Sequence, residues 1–132
     1  MARNESLPLA SEQDIVLARQ AIRKAALQLG FSIVDQTKIV TAASELVRNA
    51  VVYGGGGTLK WETVAQNGKQ GLRLTISDQG RGIEDLTLAM KDGWTTGTGL
   101  GMGLPGAKRL VNEFKIVSER GVGTTVIVTR WK

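Results

Sequence analysis

Eight of the 17 glycines fall between Gly80 and Gly106, in the stretch GRGIEDLTLAMKDGWTTGTGLGMGLPG. Glycine at that density favours neither a long helix nor a core strand, since each one loses the most backbone entropy on ordering. The stretch therefore reads as a long loop carrying a short helix, and the fold has to be built from what flanks it. Before it, Ser11 and Asp14 form a capping-box pattern, and Ile15, Ala18, Ile22, Ala25, Ala26 and Leu29 recur at helical spacing up to Gly30. Asp35 is placed to cap a second helix, whose apolar side is Ile39, Ala43, Leu46, Ala50 and Tyr53, stopped by Gly54 to Gly57. Leu59, Trp61 and Thr63 alternate as a strand, Asn67-Gly68 supplies a turn, and Leu72, Leu74 and Ile76 alternate again. After the loop, Pro105 suits a first helical turn, continued by Ala107, Leu110 and Val111. A last hairpin runs from Phe114 to Ser118, through the turn Arg120 to Gly123, and on from Thr124 to Trp131, while the chain ends are expected to fray. Helices first and strands paired by hairpins predict an α+β two-layer sandwich, a mixed but mostly antiparallel sheet covered by helices on one face.

The 132 residues suffice for one domain spanning 1–132, with a core that needs no staple. Cys and His are both absent, which removes thiolate and imidazole metal sites, cysteine nucleophiles, histidine triads and any phosphohistidine intermediate on this chain. Chemistry is left to carboxylates, amides, hydroxyls, backbone N–H groups or a borrowed ion. The net charge of +5 is spread, with 7 basic and 6 acidic residues up to position 65 and 10 and 6 beyond it, and aromatics are only 5%. No basic block or base-stacking platform stands out, so no nucleic-acid partner is expected; a basic surface suits a phosphate ligand or an acidic protein. No apolar run approaches the ~18 residues of a membrane span and the first residues lack an apolar signal core, so no membrane partner and a cytoplasmic location are expected.

Three places carry candidate chemistry. Glu45 and Asn49 lie four apart, on one helix face beside Leu46 and Ala50; the pair suits a base and an oxygen ligand for Mg²⁺, and equally a solvated helix shoulder. Asp78 shares the inward phase of Leu72, Leu74 and Ile76, so it either meets a partner such as an exocyclic amine, with Gly80 and Gly82 leaving room for a flat ring, or simply initiates a turn. Gly97, Gly99, Gly101, Gly103 and Gly106, with Thr98, form a loop rich in N–H groups that runs into helix, an anion-binding arrangement. Gly101, Gly103 and Gly106 also match the dinucleotide fingerprint GxGxxG, but no strand precedes them, so that match is discarded. A P-loop and the protein-kinase HRD and DFG signatures are absent.

ELVRNAVVYGGGG (45–57), DQGRGI (78–83), TTGTGLGMGLPGAKRL (95–110) and GVGTTVIV (121–128), in that order, resemble the N box and successive G boxes of the Bergerat-fold ATP-binding superfamily of gyrase, Hsp90, histidine kinases and MutL. Within it, the compact length, the first helix DIVLARQAIRKAALQLGF and the stretch GLPGAKRLVNEF are similar to the RsbT-type switch kinases, relatives of the anti-sigma serine kinases. The resemblance implies Glu45 as general base, Asn49 as Mg²⁺ ligand and Asp78 as the adenine-binding aspartate. It also implies that Gly80 and Gly82 line the adenine pocket and that Thr124 supports adenine through water. Trp94 to Gly103 matches the lid over the phosphates, which brings in Thr98, Gly99, Leu100, Gly101, Met102 and Gly103. The phosphoacceptor His and dimerising helices of a complete histidine kinase are missing, as is the transducer lysine of the gyrase-like ATPases. The function implied is an ATP- and Mg²⁺-dependent serine/threonine kinase acting on STAS-domain regulators of a bacterial partner-switching, stressosome-type pathway and, after release, activating a PP2C-type phosphatase. The rival is a nucleotide-gated, anti-sigma-factor-like binder without catalysis.

Overall fold

The structure is a computed structural model that describes residues 4–79, 103–119 and 121–132. In chain order its elements are β1 (Asn4–Leu9), α1 (Glu12–Leu29), α2 (Ile33–Arg48), a π turn (Asn49–Tyr53), β2 (Gly57–Gln66), β3 (Lys69–Asp78), α3 (Gly103–Arg109), β4 (Glu113–Glu119) and β5 (Gly123–Trp131). The strands form one sheet in the order β1-β2-β3-β5-β4, and every described pairing is antiparallel. Leu59, Leu72, Leu74, Ile76, Val126 and Val128 are buried on the sheet face turned toward the helices. Ala18, Ile22 and Ala26 of α1, and Ile39, Ala43 and Leu46 of α2, are buried in the same core. This is the expected two-layer α+β sandwich.

The helix ends follow their local chemistry. At α1 the Asp14 carboxylate accepts the N–H groups of Ala10 (2.7 Å) and Ser11 (3.0 Å), which holds its carboxyl below the usual range. Gly30 closes the helix at φ 91°, a left-handed conformation that suits glycine. At α2 the expectation that Asp35 is the cap is corrected: Ser32 holds that position and its Oγ accepts the Asp35 N–H at 3.1 Å. The Asp35 carboxylate instead receives a hydrogen bond from Arg130 Nη2, a partner 95 residues away that no local pattern announces.

Two further departures shape the molecule. The first residues do not all fray: Asn4–Leu9 pair with Gly57–Glu62 as an edge strand, with Leu9 buried and Pro8 where an edge tolerates proline. The second helix does not run as α-helix to Tyr53 but widens at Asn49, so that the Gly54 N–H reaches the Asn49 carbonyl at 2.9 Å, a five-residue step. Both predicted hairpins are present. No described helix is long and apolar enough to cross a membrane.

Candidate nucleotide site

The last turn of α2, the π turn, the ends of β3 and β5 and the start of α3 converge on one crevice. Its walls are apolar, made by Leu46, Ala50, Ile76, Leu104 and Val126, and three polar residues open into it: Asn49, Asp78 and Thr124. The recess is small, about 20 Å³, and combines an apolar lining with a few placed polar groups, the lining character of small-molecule sites.

Each polar group is there for a traceable reason. Asp78 continues the inward phase of Leu72, Leu74 and Ile76 to the end of β3, and its register partner is Thr124 at the start of β5, so the two belong to one row. Asn49 stands one helical turn beyond Glu45, and the buried Leu46 and Ala50 fix the orientation of that face. Glu45 itself is half-buried and does not line the crevice. Gly103 begins α3, and its neighbour Leu104, buried, forms a wall. Gly80, Gly82, Thr98, Gly99, Leu100, Gly101 and Met102 lie outside the described residues.

Two observations test whether these residues fit a nucleotide. The Asn49 Nδ2 is buried and has no hydrogen-bond partner among the described residues, an arrangement that costs free energy unless another group completes it. The second is the close fit of glycines around Asp78. A Cβ at Gly54 would lie 2.6 Å from the Asp78 Cγ, and one at Gly123 would lie 2.2 Å from the Asp78 carbonyl oxygen. The backbone has to come this near for the carboxyl to stand where it does. A carboxylate accepts only, so the end of the slot suits an exocyclic amine; the Asn49 amide at the other side offers a donor and a hard oxygen.

Two contributors escape sequence reading. Gly54 appears there only as a helix stop, although its missing side chain makes room for Asp78. Ser118 sits opposite Thr124 on β4, with its Oγ 2.8 Å from Thr124 Oγ1. The turn at 120–123 already implied that opposition, so register counting across the predicted hairpin would have found it.

The sequence matches the family model of histidine kinase-, DNA gyrase B- and HSP90-like ATPases over residues 34–132. The chain belongs to this ATPase family. Within it, the chain is 50% identical over 121 residues to the serine/threonine-protein kinase RsbT of Bacillus subtilis, covering 92% of this chain and 91% of that one. It is 33% identical to the anti-sigma F factor of Halalkalibacterium halodurans over 92% of this chain and 86% of that one. Among solved structures, the RsbU and RsbW domains of a Mycobacterium tuberculosis protein share the fold, with TM-score 0.66 and 23% identity over 98% of this chain and 33% of that chain. Half identity across nearly the whole of an RsbT kinase carries the class of activity, an ATP-using protein serine/threonine kinase of the RsbT type.

Proposed function

We propose that the protein transfers the γ-phosphoryl group of Mg²⁺-bound ATP to a serine or threonine hydroxyl of a STAS-domain regulator, and after release binds and activates a PP2C-type phosphatase. The observation that carries the nucleotide part is the meeting of Asn49, Asp78 and Thr124 on one apolar crevice. They come from three distant chain segments, and Glu45 lies one helical turn behind Asn49. The STAS acceptor and the phosphatase rest on the likeness to RsbT-type kinases. Asp78 takes the adenine amine, Thr124 stands beside it, and Asn49 contributes an oxygen ligand to Mg²⁺, which neutralises phosphate charge when bound. Glu45 accepts the proton of the incoming hydroxyl as its oxygen bonds to the γ-phosphorus; the bond to the β–γ bridging oxygen breaks and its electron pair leaves with ADP.

Phosphoryl transfer depends mostly on positioning and charge, and a general base adds about 10²- to 10⁴-fold. Glu45→Ala is therefore expected to bind ADP like the parent and to transfer phosphate to a STAS-domain protein slower by about that factor in single-turnover assays. A transfer rate within about twofold of the parent would remove Glu45 from the chemistry. An ATP-binding chain in which neither parent nor variant transfers phosphate to any STAS-domain protein would favour the binder related to anti-sigma F factors.

A further inference from the structure

Glu45 is half-buried on the shoulder of α2, outside the crevice, so a hydroxyl that it serves has to arrive from solvent. At about 100° per residue, Asn49 lies about 40° to one side of Glu45, toward the core, and Arg48 about 60° to the other, toward solvent. Burial follows the same division. Leu46, Val47 and Ala50 are buried, whereas Arg48 is exposed, together with Thr41 two turns before it and Val52 four residues after it. Thr41, Arg48 and Val52 are thus the ridge that an incoming protein meets beside Glu45. The Arg48 guanidinium makes no ion pair or hydrogen bond among the described residues, Glu45 included.

A cation near a helix end is ordinarily accounted for by the helix dipole, whose effect fades within the last turn. Here the helical chain runs on through the π turn to Tyr53, so the terminal carbonyls lie beyond Arg48 and leave its charge largely unused. What an unpaired guanidinium fits is a planar anion: a carboxylate accepts two of its N–H groups at once. On the reading given under Proposed function, the phosphates and Mg²⁺ lie on the Asn49 side of Glu45. The Arg48 side is then left to the acceptor. Resting on that reading, we propose that the exposed ridge of α2 is the docking surface for the acceptor protein, with Arg48 donating to a carboxylate beside the accepting hydroxyl. The ridge is continuous with the site, and its charge suits an acidic surface approaching a chain of net charge +5. Arg48 sets which hydroxyl reaches Glu45 and takes no part in the transfer.

The test is steady-state transfer from ATP to a STAS-domain protein that the parent phosphorylates, comparing the parent with Arg48→Gln, Arg48→Lys, Arg48→Glu and Glu45→Ala, beside calorimetric ADP binding and thermal unfolding. Arg48→Gln is expected to raise the acceptor KM about three- to thirtyfold, with kcat, ADP affinity and unfolding midpoint near those of the parent. Arg48→Lys is expected to recover part of the loss, because it keeps the charge without the planar fork. Added salt is expected to raise the parent's KM and narrow its gap to Arg48→Gln. Changing the acidic residue beside the accepting hydroxyl to lysine is expected to weaken transfer by the parent and to be rescued in part by Arg48→Glu. If Arg48→Gln keeps the parental KM while Glu45→Ala still slows transfer, the inference is overturned and the base assignment stands. A KM effect that comes with weaker ADP binding would place Arg48 at the nucleotide, and a loss confined to activation of a PP2C-type phosphatase would give the ridge to that partner; either overturns it as well. A parent that phosphorylates no STAS-domain protein would remove the reading under Proposed function, and this inference with it.

Discussion

Asp78 and Asn49 occupy one crevice for opposite reasons. Asp78 stands where neighbouring side chains would not fit: a Cβ at Gly54 would meet its carboxyl carbon, and one at Gly123 would meet its backbone carbonyl at the end of β3. Asp78→Asn preserves that shape and removes the charge from the acceptor. Hydrogen bonds to charged groups are worth ~1.5–3 kcal/mol, so ADP and ATP are both expected to bind about 10- to 100-fold more weakly with the fold intact, which calorimetry and thermal unfolding together will show. Asn49 carries the reverse signature, a buried Nδ2 that nothing among the described residues satisfies. Deleting it costs no hydrogen bond to the described residues at that nitrogen and relieves a buried donor. Asn49→Ala is therefore expected to keep or raise the unfolding midpoint while Mg²⁺-dependent nucleotide affinity falls about tenfold, the pattern of a residue retained for binding at the expense of stability.

Among the elements, Arg130 joins three. From β5 its guanidinium donates to the Asp35 carboxylate in the first turn of α2 and, at 3.0 Å, to the Leu110 carbonyl just past α3. It thereby fixes α3, which supplies the Leu104 wall, against α2, which supplies Asn49. The Arg130 hydrogen bond is the main reason the Asp35 carboxyl lies below its ordinary range, ahead of the Ser32 contact and the nearby Lys38. A depressed folded value means this stabilisation is fully present above the unfolded value near 4 and is lost as pH falls through the lower folded value. Arg130→Met is expected to cost about 1–3 kcal/mol at pH 7 and to flatten the fall in stability below pH ~4, read by denaturant melts across pH. Elements were legible where one period ran long enough. The α1 stripe and both hairpins announce themselves, whereas β1 offers only Leu7 and Leu9 as inward residues, too few to separate a strand from a loose end. Asp35 was misread because Ser32 and Asp35 are both good caps, and the choice was made by an arginine on the last strand. That Asp78 faces inward was legible from phase, and motif order pointed to Asn49 and Thr124; Ser118 opposite Thr124 was open to register counting, whereas the space left by Gly54 depends on the approach of the π turn to β3, a contact between segments far apart in the chain.

At the scale of the molecule, the crevice lies at one end of the sandwich, lined from α2, α3, β3 and β5, while α1 covers the sheet without lining it. Stability and binding should then separate. Ile22 is fully buried in α1, so Ile22→Ala is expected to lower stability by about 2–5 kcal/mol. The increment that saturating ADP adds to the unfolding free energy, ~2.7 kcal/mol at a hundred times its Kd, is expected to be unchanged, a comparison thermal shift assays can make directly. The π turn joins these two domains of behaviour. It is a helix holding one residue more than its regular ladder needs, and that surplus lets the chain leave α2 in the direction that lays Gly54 against Asp78. Removing a single residue from Ala50 to Tyr53 would return the segment to ordinary α-helix and remove the widened turn from which the chain now leaves toward Gly54. The shortened protein is expected to have the more regular helix and weaker ADP binding, which would make the length of this segment, and not only its composition, a determinant of the proposed site.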